Sequence, residues 1–181
     1  DHTPVRALLP SIWDVHFFLG HDAHCAAIGE YWAGAAKGCD PAVVVTLGTG
    51  IGSGMVSGGK LFTGFANSGM ETGHTIIYPG GVPCTCGNRG CWERYGSATA
   101  LIRMAREEMV QSPDSLLWTL CGGQAEKVQG RTVFQAAREK DPAALRALET
   151  FHQGLAIGLI NLVNTVQPEI ICLGGGISAA D

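Results

Sequence analysis

Apolar residues follow two rhythms along this chain. Short unbroken runs, "AVVVTLG" over 42–48 and "EIICLGGG" over 169–176, have the length and β-branched content of central strands that end in glycine turns. "VHFFL" over 15–19 reads in the same way, as a short buried strand ending at Gly20. Longer segments carry apolar residues at three- and four-residue steps instead. In "DPAALRALETFHQGLAIGLINLVNTV" that step joins Leu145, Leu148, Phe151, Leu155, Leu159, Leu162 and Val166, so a long helix should bury one face. Asp141 caps it, Pro142 takes its first position and Pro168 ends it.

Three further helices are expected. "HDAHCAAIGEYWAGAAKG" should start with Asp22 as cap and end at Gly38, "SATALIRMAREEMVQ" should start from Ser97, and "RTVFQAAREK" is a short one. "TGIGSGMVSGGKLFTG" is punctuated like a hairpin, and "GHTIIYPGG" supplies another strand and a turn. Strands and helices mix without an internal repeat, which gives an α/β class.

Composition narrows the function classes. The 181 residues are 46% apolar and 15% charged, enough for one sizeable core or two small lobes. A net charge of −4 and a pI near 5.8 leave no basic stripe, so nucleic acid is not an expected partner. No apolar run reaches membrane-spanning length, and no signal peptide is evident. The chain opens "DHTPVRALLP" without an initiator methionine and stops at "GGGISAAD", so a piece of a longer protein is expected. Cys25, Cys39, Cys121 and Cys172 lie among apolar neighbours and are expected as buried, reduced thiols in a cytoplasmic protein.

The other three cysteines carry chemistry. Cys84, Cys86 and Cys91, with His74 upstream, form H-x9-C-x-C-x4-C. One imidazole and three thiolates suit a closed, structural zinc site with no open position. Unliganded thiols or a local disulfide are the alternatives, disfavoured because a C-x-C pair is awkward to bridge and the compartment looks reducing. In "TLGTGIGSG", Gly48, Gly50, Gly52 and Gly54 follow a buried strand, and bare N–H groups there could approach an anion. A plain hairpin turn fits equally well. A Walker A loop fails because Leu61 stands where Ser or Thr is needed, and no dinucleotide fingerprint occurs in the stretch. Gly174, Gly175 and Gly176 make a second strand-to-turn junction, and the pair of turns favours a nucleotide. Asp22, beside His21 and His24, is either a simple helix cap or a general base at the mouth of a cleft. His24 is expected to be a satisfied polar residue rather than a ligand.

Together, "LGTGIGSG", "METGH", "CTCGNRGCWE" and "LGGGIS" in this order resemble the ROK family of sugar kinases and related repressors, bacterial glucokinases being the nearest likeness. The resemblance implies a two-lobed actin-like ATPase (ribonuclease H-like) fold. Residues 1–38 would be the end of the N-terminal lobe with a cleft helix. Residues 39–181 would be the C-terminal lobe, with a zinc-binding loop over 74–91. It implies Asp22 as catalytic base, with His21, Asp22, Gly50, Glu71, His74 and Glu93 at the sugar. Gly48, Thr49 and Gly50, with Gly174, Gly175 and Gly176, would face the nucleotide, and His74, Cys84, Cys86 and Cys91 would hold zinc. ATP with magnesium would donate the phosphoryl group, and the protein would be a homodimer or homotetramer. Three positions depart from the family pattern: His21 and His24 replace asparagines, and Met70 replaces a small residue. The family's N-terminal D-x-G-x-T loop is not in these residues. A repressor that senses sugar, or a kinase for N-acetylmannosamine, allose or fructose, would share much of this pattern. Asp22 and the two intact glycine turns favour a kinase over a repressor, with glucose or a close relative as the leading substrate.

Overall fold

The computed structural model describes residues 3–17 and 19–178. Its sheet has four strands, β1 (Ala42–Leu47), β2 (Ile51–Ser57), β3 (Lys60–Leu61) and β4 (Ile170–Gly174), in the order β3-β2-β1-β4. β2 is antiparallel to both β1 and β3, whereas β4 runs parallel to β1. The helices are α1 (Val5–Ile12), α2 (Asp22–Ala33), α3 (Glu93–Gly96), α4 (Ala98–Gln111), α5 (Leu116–Leu120), α6 (Gly130–Arg138) and α7 (Pro142–Val166).

The two-residue alternation of β1 explains the layering. Val43, Val45 and Leu47 join a core with Trp92, Leu101, Met104, Phe151 and Leu162, so one sheet face is covered by the α3, α4 and α7 layer. The opposite face receives α2 at very short range. A Cβ on Gly54 would fall 2.7 Å from Ala27 Cβ, and one on Gly52 would fall 3.0 Å from Ala23 Cβ. Gly52 and Gly54 are therefore ladder residues of β2 that admit a helix, and only Gly48 and Gly50 of that glycine series lie in the turn.

Several expected elements are present as read. The β2–β3 hairpin turns at Gly58 and Gly59, both with positive φ, the backbone a two-residue turn of this hand requires. Ser97 caps α4 by accepting from Ala100 N at 3.1 Å. Asp141 caps α7 through Ala144 N at 2.8 Å, and Gln167 closes that helix in the left-handed region before Pro168.

Others need correction. The run over 15–19 is not a strand at its described positions. Val15 and Leu19 are exposed, and no neighbour pairs with them among the described residues; apolar character without a ladder partner does not make a strand. Phe18 lies outside the described residues. Helix α2 stops at Ala33 with Gly34 as its cap, before the expected Gly38, and its N-cap is His21 rather than Asp22. The segment 73–81 is no strand: Thr72–His74 is a 3-10 turn, followed by a lone bridge from Ile76 to Cys91.

On α7, Leu145 is exposed, while Ala144, Ala147, Leu148, Phe151, Gly154, Gly158 and Leu162 are buried. The buried arc thus runs through small residues. A Cβ on Gly158 would fall 1.9 Å from Trp92 Cε2, so the two glycines make a notch for α3 and the indole before it. Cys121 is buried as expected, but Cys39 and Cys172 are only half-buried and Cys25 is exposed. Two residues past Ala23, Cys25 lies off the face that α2 buries.

Candidate functional site

Two glycine turns meet at one edge of the sheet. The β1–β2 turn spans Gly48 to Gly50, where Gly48 N donates to Gly50 O at 3.0 Å. The turn after β4 lies beside it because β1 and β4 are parallel neighbours. Gly175 has φ +99°, and a Cβ there would fall 2.4 Å from Leu47 O, so only glycine fits. Ile177 N donates to the same carbonyl at 3.3 Å. Two turns at the carboxyl ends of adjacent parallel strands make the crevice where open α/β sheets bind ligands.

Near this edge three carboxylates are shared between two histidines. The exposed carboxylate of Asp22 opens α2, with Oδ1 at 3.5 Å from His21 Nδ1. The other ring nitrogen of His21 is 3.5 Å from Glu71 Oε1, so one imidazole links both carboxylates. Glu93, at the start of α3, has Oε1 3.9 Å from His74 Nδ1. A Cβ on Gly50 would fall 2.7 Å from Glu93 Oε2, which puts this carboxylate against the first turn. A cavity of about 450 Å³ opens beside His21, lined also by Leu19, His24, Cys25 and Leu61. That is the size of a small-molecule cleft.

The cysteine cluster stands at the rear of Glu93. Donor atoms of His74, Cys84, Cys86 and Cys91 all lie within 4.8 Å of one another. Cys84 Sγ is 3.6 Å from His74 Nδ1, and Cys86 Sγ is 3.6 Å from Cys91 Sγ. Metal–sulfur bonds of about 2.3 Å in a tetrahedron imply ligand separations of roughly 3.8 Å, so this set fits a metal ion. The protein alone resists holding three thiolates there. Burial pushes the Cys91 thiol up to about 12, with the neighbouring Cys86 and Cys84 adding to it. Burial also raises Cys84, whereas Cys86 is lowered, chiefly by a hydrogen bond from the Asn88 backbone. A cation among them removes that conflict by favouring the deprotonated sulfurs. The loop is held by its glycines: Gly90 has φ +84°, and its Cα passes so close to the Tyr78 carbonyl that no side chain fits.

Of the sequence-derived site residues, the glycines form the two turns, and Glu93 rests against Gly50 with His74 and the cysteines behind it. His21, Asp22 and Glu71 form a second linked set, with His21 on the cavity wall. His24 is 5% exposed, and its Nε2 donates to Gly69 O at 3.0 Å, so it is a satisfied core histidine as expected. Met70, one of the departures from the family pattern, has φ +63°, a conformation in which a small residue would be at less strain. Sequence reading missed Ser53 and Thr72. Ser53 is 2% exposed and lies 2.5 Å from Met70 O and 2.6 Å from Thr72 Oγ1. The available signal was a hydroxyl between Ile51 and Met55 in the inward row of β2, paired with Val45.

Comparison with known proteins places the arrangement. The ROK family profile matches residues 1–181. A glucokinase of Thermotoga maritima is 42% identical over 163 residues, covering 90% of this chain and 51% of its own length. A xylose repressor of Bacillus subtilis is 33% identical, covering 96% and 41%. Among solved structures, a ROK family glucokinase from Streptomyces griseus in complex with glucose and AMPPNP superposes with a TM-score of 0.91 at 34% identity. It covers 99% of this chain and 58% of that one. The chain spans about half the length of the curated glucokinases it matches. Its fold is the actin-like ATPase fold of the solved ROK glucokinases, and, matched from one end to the other, the chain belongs to the ROK family.

Proposed function

We propose that the protein to which this chain belongs is an ATP-dependent hexose kinase, transferring the γ-phosphoryl group to the 6-hydroxyl of glucose or a close relative. The observation that carries the reading is the pair of linked sets, Asp22–His21–Glu71 and His74–Glu93, the second of which rests against the Gly48–Gly50 turn. Carboxylates and imidazoles spaced in this way suit the vicinal hydroxyls of a sugar, and the bare turns beside them suit a polyphosphate. The glucokinase relatives and the fold shared with a glucose-bound ROK kinase support it.

In the proposed reaction, O6 of the sugar forms a bond to the γ-phosphorus while the bond from that phosphorus to the departing ADP oxygen breaks. Asp22 orients the hydroxyl and takes its proton late, since a loose transition state requires little deprotonation beforehand. Its carboxylate is exposed, with Oδ1 accepting from Ala23 N and lying beside His21 Nδ1. Glu71, Glu93 and His21 would accept from or donate to the remaining hydroxyls and so distinguish stereoisomers. Gly48, Thr49 and Gly50 would face the phosphates, and Gly174, Gly175 and Gly176 the nucleoside end. Bound magnesium would neutralise charge on the transferring phosphate.

Zinc is the metal proposed for His74, Cys84, Cys86 and Cys91, in a structural role because all four positions are filled by protein. The Nδ1 of His74 faces Cys84, which leaves Nε2 for the sugar. On this reading residues 1–38 end the first lobe and the remainder forms the second. A cytoplasmic location belongs to the same reading.

An ATP-coupled assay of the full-length protein against a panel of hexoses tests the reading. Phosphorylation of glucose or an epimer is expected. No turnover with any hexose, together with sugar-dependent binding to operator DNA, would overturn it in favour of the repressor branch of the family.

A further inference from the structure

The segment that presents Glu71 is held by buried groups outside the sugar-facing set. Two successive carbonyls ahead of it are each fixed by a side chain from a different element. His24, on α2, donates from Nε2 to Gly69 O at 3.0 Å. Ser53, in the middle of β2, lies 2.5 Å from Met70 O. A serine hydroxyl has one proton, and a carbonyl only accepts, so that proton goes to Met70. The 2.6 Å contact between Ser53 and Thr72 is therefore donated by Thr72. The chain of hydroxyls brackets Glu71 on both sides.

The bracket has work to do. Met70 adopts φ +63°, a left-handed conformation that is strained for a non-glycine residue. Released from its carbonyl bond, that peptide would relax toward ordinary backbone and swing the next residue. The next residue is Glu71, whose side chain is nearly half exposed and lies 3.5 Å from His21. Ser53 itself is 2% exposed and reaches no part of the cleft.

We infer that Ser53 is a positioning residue for Glu71: through Met70 O and Thr72 Oγ1 it holds the left-handed turn that aims the Glu71 carboxylate at the sugar, and so sets sugar affinity. This rests on the kinase reading above. Ser53 touches neither nucleotide nor metal in this scheme, so its loss should act on one substrate only.

The test uses the full-length protein and compares wild type, Ser53→Ala, Thr72→Val, Glu71→Gln and the Ser53→Ala/Glu71→Gln double variant. KM for glucose, KM for ATP, kcat, zinc content and glucose binding by calorimetry are measured for each. Ser53→Ala should raise the glucose KM about tenfold with kcat, the ATP KM and zinc content within about twofold of wild type, the pattern of lost binding rather than lost chemistry. Thr72→Val should move the glucose KM in the same direction by less. In the Glu71→Gln background Ser53→Ala should add almost nothing, because both act through one carboxylate.

An unchanged glucose KM in Ser53→Ala overturns the inference, as does an equal rise in the Glu71→Gln background. A fall in kcat or zinc content that matches the change in KM overturns it too, since that marks a general packing role. If Ser53→Ala does not fold, Thr72→Val decides alone: a raised glucose KM with normal zinc content supports the inference and an unaltered one overturns it. If wild type neither binds nor phosphorylates a hexose, the kinase reading fails and takes this inference with it. A wild type that turns over glucose beside an indifferent Ser53→Ala overturns only the latter.

Discussion

Cys84 Sγ lies 3.1 Å from Glu93 Oε1, and the other oxygen of the same carboxylate rests against Gly50. One side chain therefore joins the cysteine cluster to the turn after β1. A metal held by His74, Cys84, Cys86 and Cys91 would fix Glu93 without taking part in any reaction, because Glu93 follows the Cys91–Trp92 pair directly in the chain.

Cys86→Ser should empty the metal site and free the Cys91–Trp92 segment that leads into Glu93. Zinc content measured by atomic spectroscopy is expected to fall from about one per chain to near none. The melting temperature should fall with it, and sugar affinity should weaken. Normal zinc content with an unchanged melting temperature would dismiss the cluster as a metal site.

Asp22→Asn removes the proposed base while preserving shape. In the full-length protein kcat should fall by about 10²–10⁴-fold, the range for a positioned acid–base group. Glucose affinity by calorimetry should stay within a few-fold. Turnover close to wild type would remove Asp22 from the mechanism.

Gly158→Ala tests the notch under the site. The new methyl would fall 1.9 Å from the buried Trp92 ring, and overpacking of this kind costs about 1–3 kcal/mol or more. Urea denaturation should show the loss. Because Trp92 precedes Glu93, glucose KM should rise as well. Wild-type stability would mean that α7 and the indole are not held together as described.

Asp141 links stability to pH. Burial by itself would raise its pKa, but hydrogen bonds from Ala144 N, Leu116 N and the Ser115 hydroxyl outweigh that and lower it. A depressed folded-state pKa gives stability that is present above the unfolded value of about 3.9 and lost as pH falls through the folded value. Asp141→Asn should cost about 2 kcal/mol at pH 7. The gap from wild type should narrow below about pH 4. A gap that stays constant down to pH 2 would rule out the charge as its source.

Local signals carried the sequence reading, and non-local ones defeated it. Asp141 with Pro142, Ser97, the Gly58–Gly59 turn and the metal-ligand spacing each announce themselves within a few residues. What was not legible depends on partners far away in the chain. Gly52 and Gly54 looked like an extended anion loop because Ala23 and Ala27, the residues they admit, belong to another element. The buried stripe of α7 runs through Gly154 and Gly158, which hydropathy overlooks, because Tyr95 and Trp92 fill the space their missing side chains leave. The segment 73–81 has strand-like residues, yet its backbone follows the cysteine loop, with Ile77 N and Tyr78 N both donating to Gly90 O. The site residues were legible as a set because their chemistry is written in residue type. Ser53 was not, since its role depends on a carbonyl seventeen residues away.

The two glycine turns are neighbours in space but are separated by more than a hundred residues of synthesis. The β1–β2 hairpin is local and can form as soon as Ser57 has left the ribosome. The parallel partner β4 begins only at Ile170, after every helix from α3 to α7 has been made. Closing so long a loop is slow compared with hairpin formation. A nascent chain therefore carries its cysteine loop and the carboxylates of Asp22, Glu71 and Glu93 before the second glycine turn exists to complete the edge.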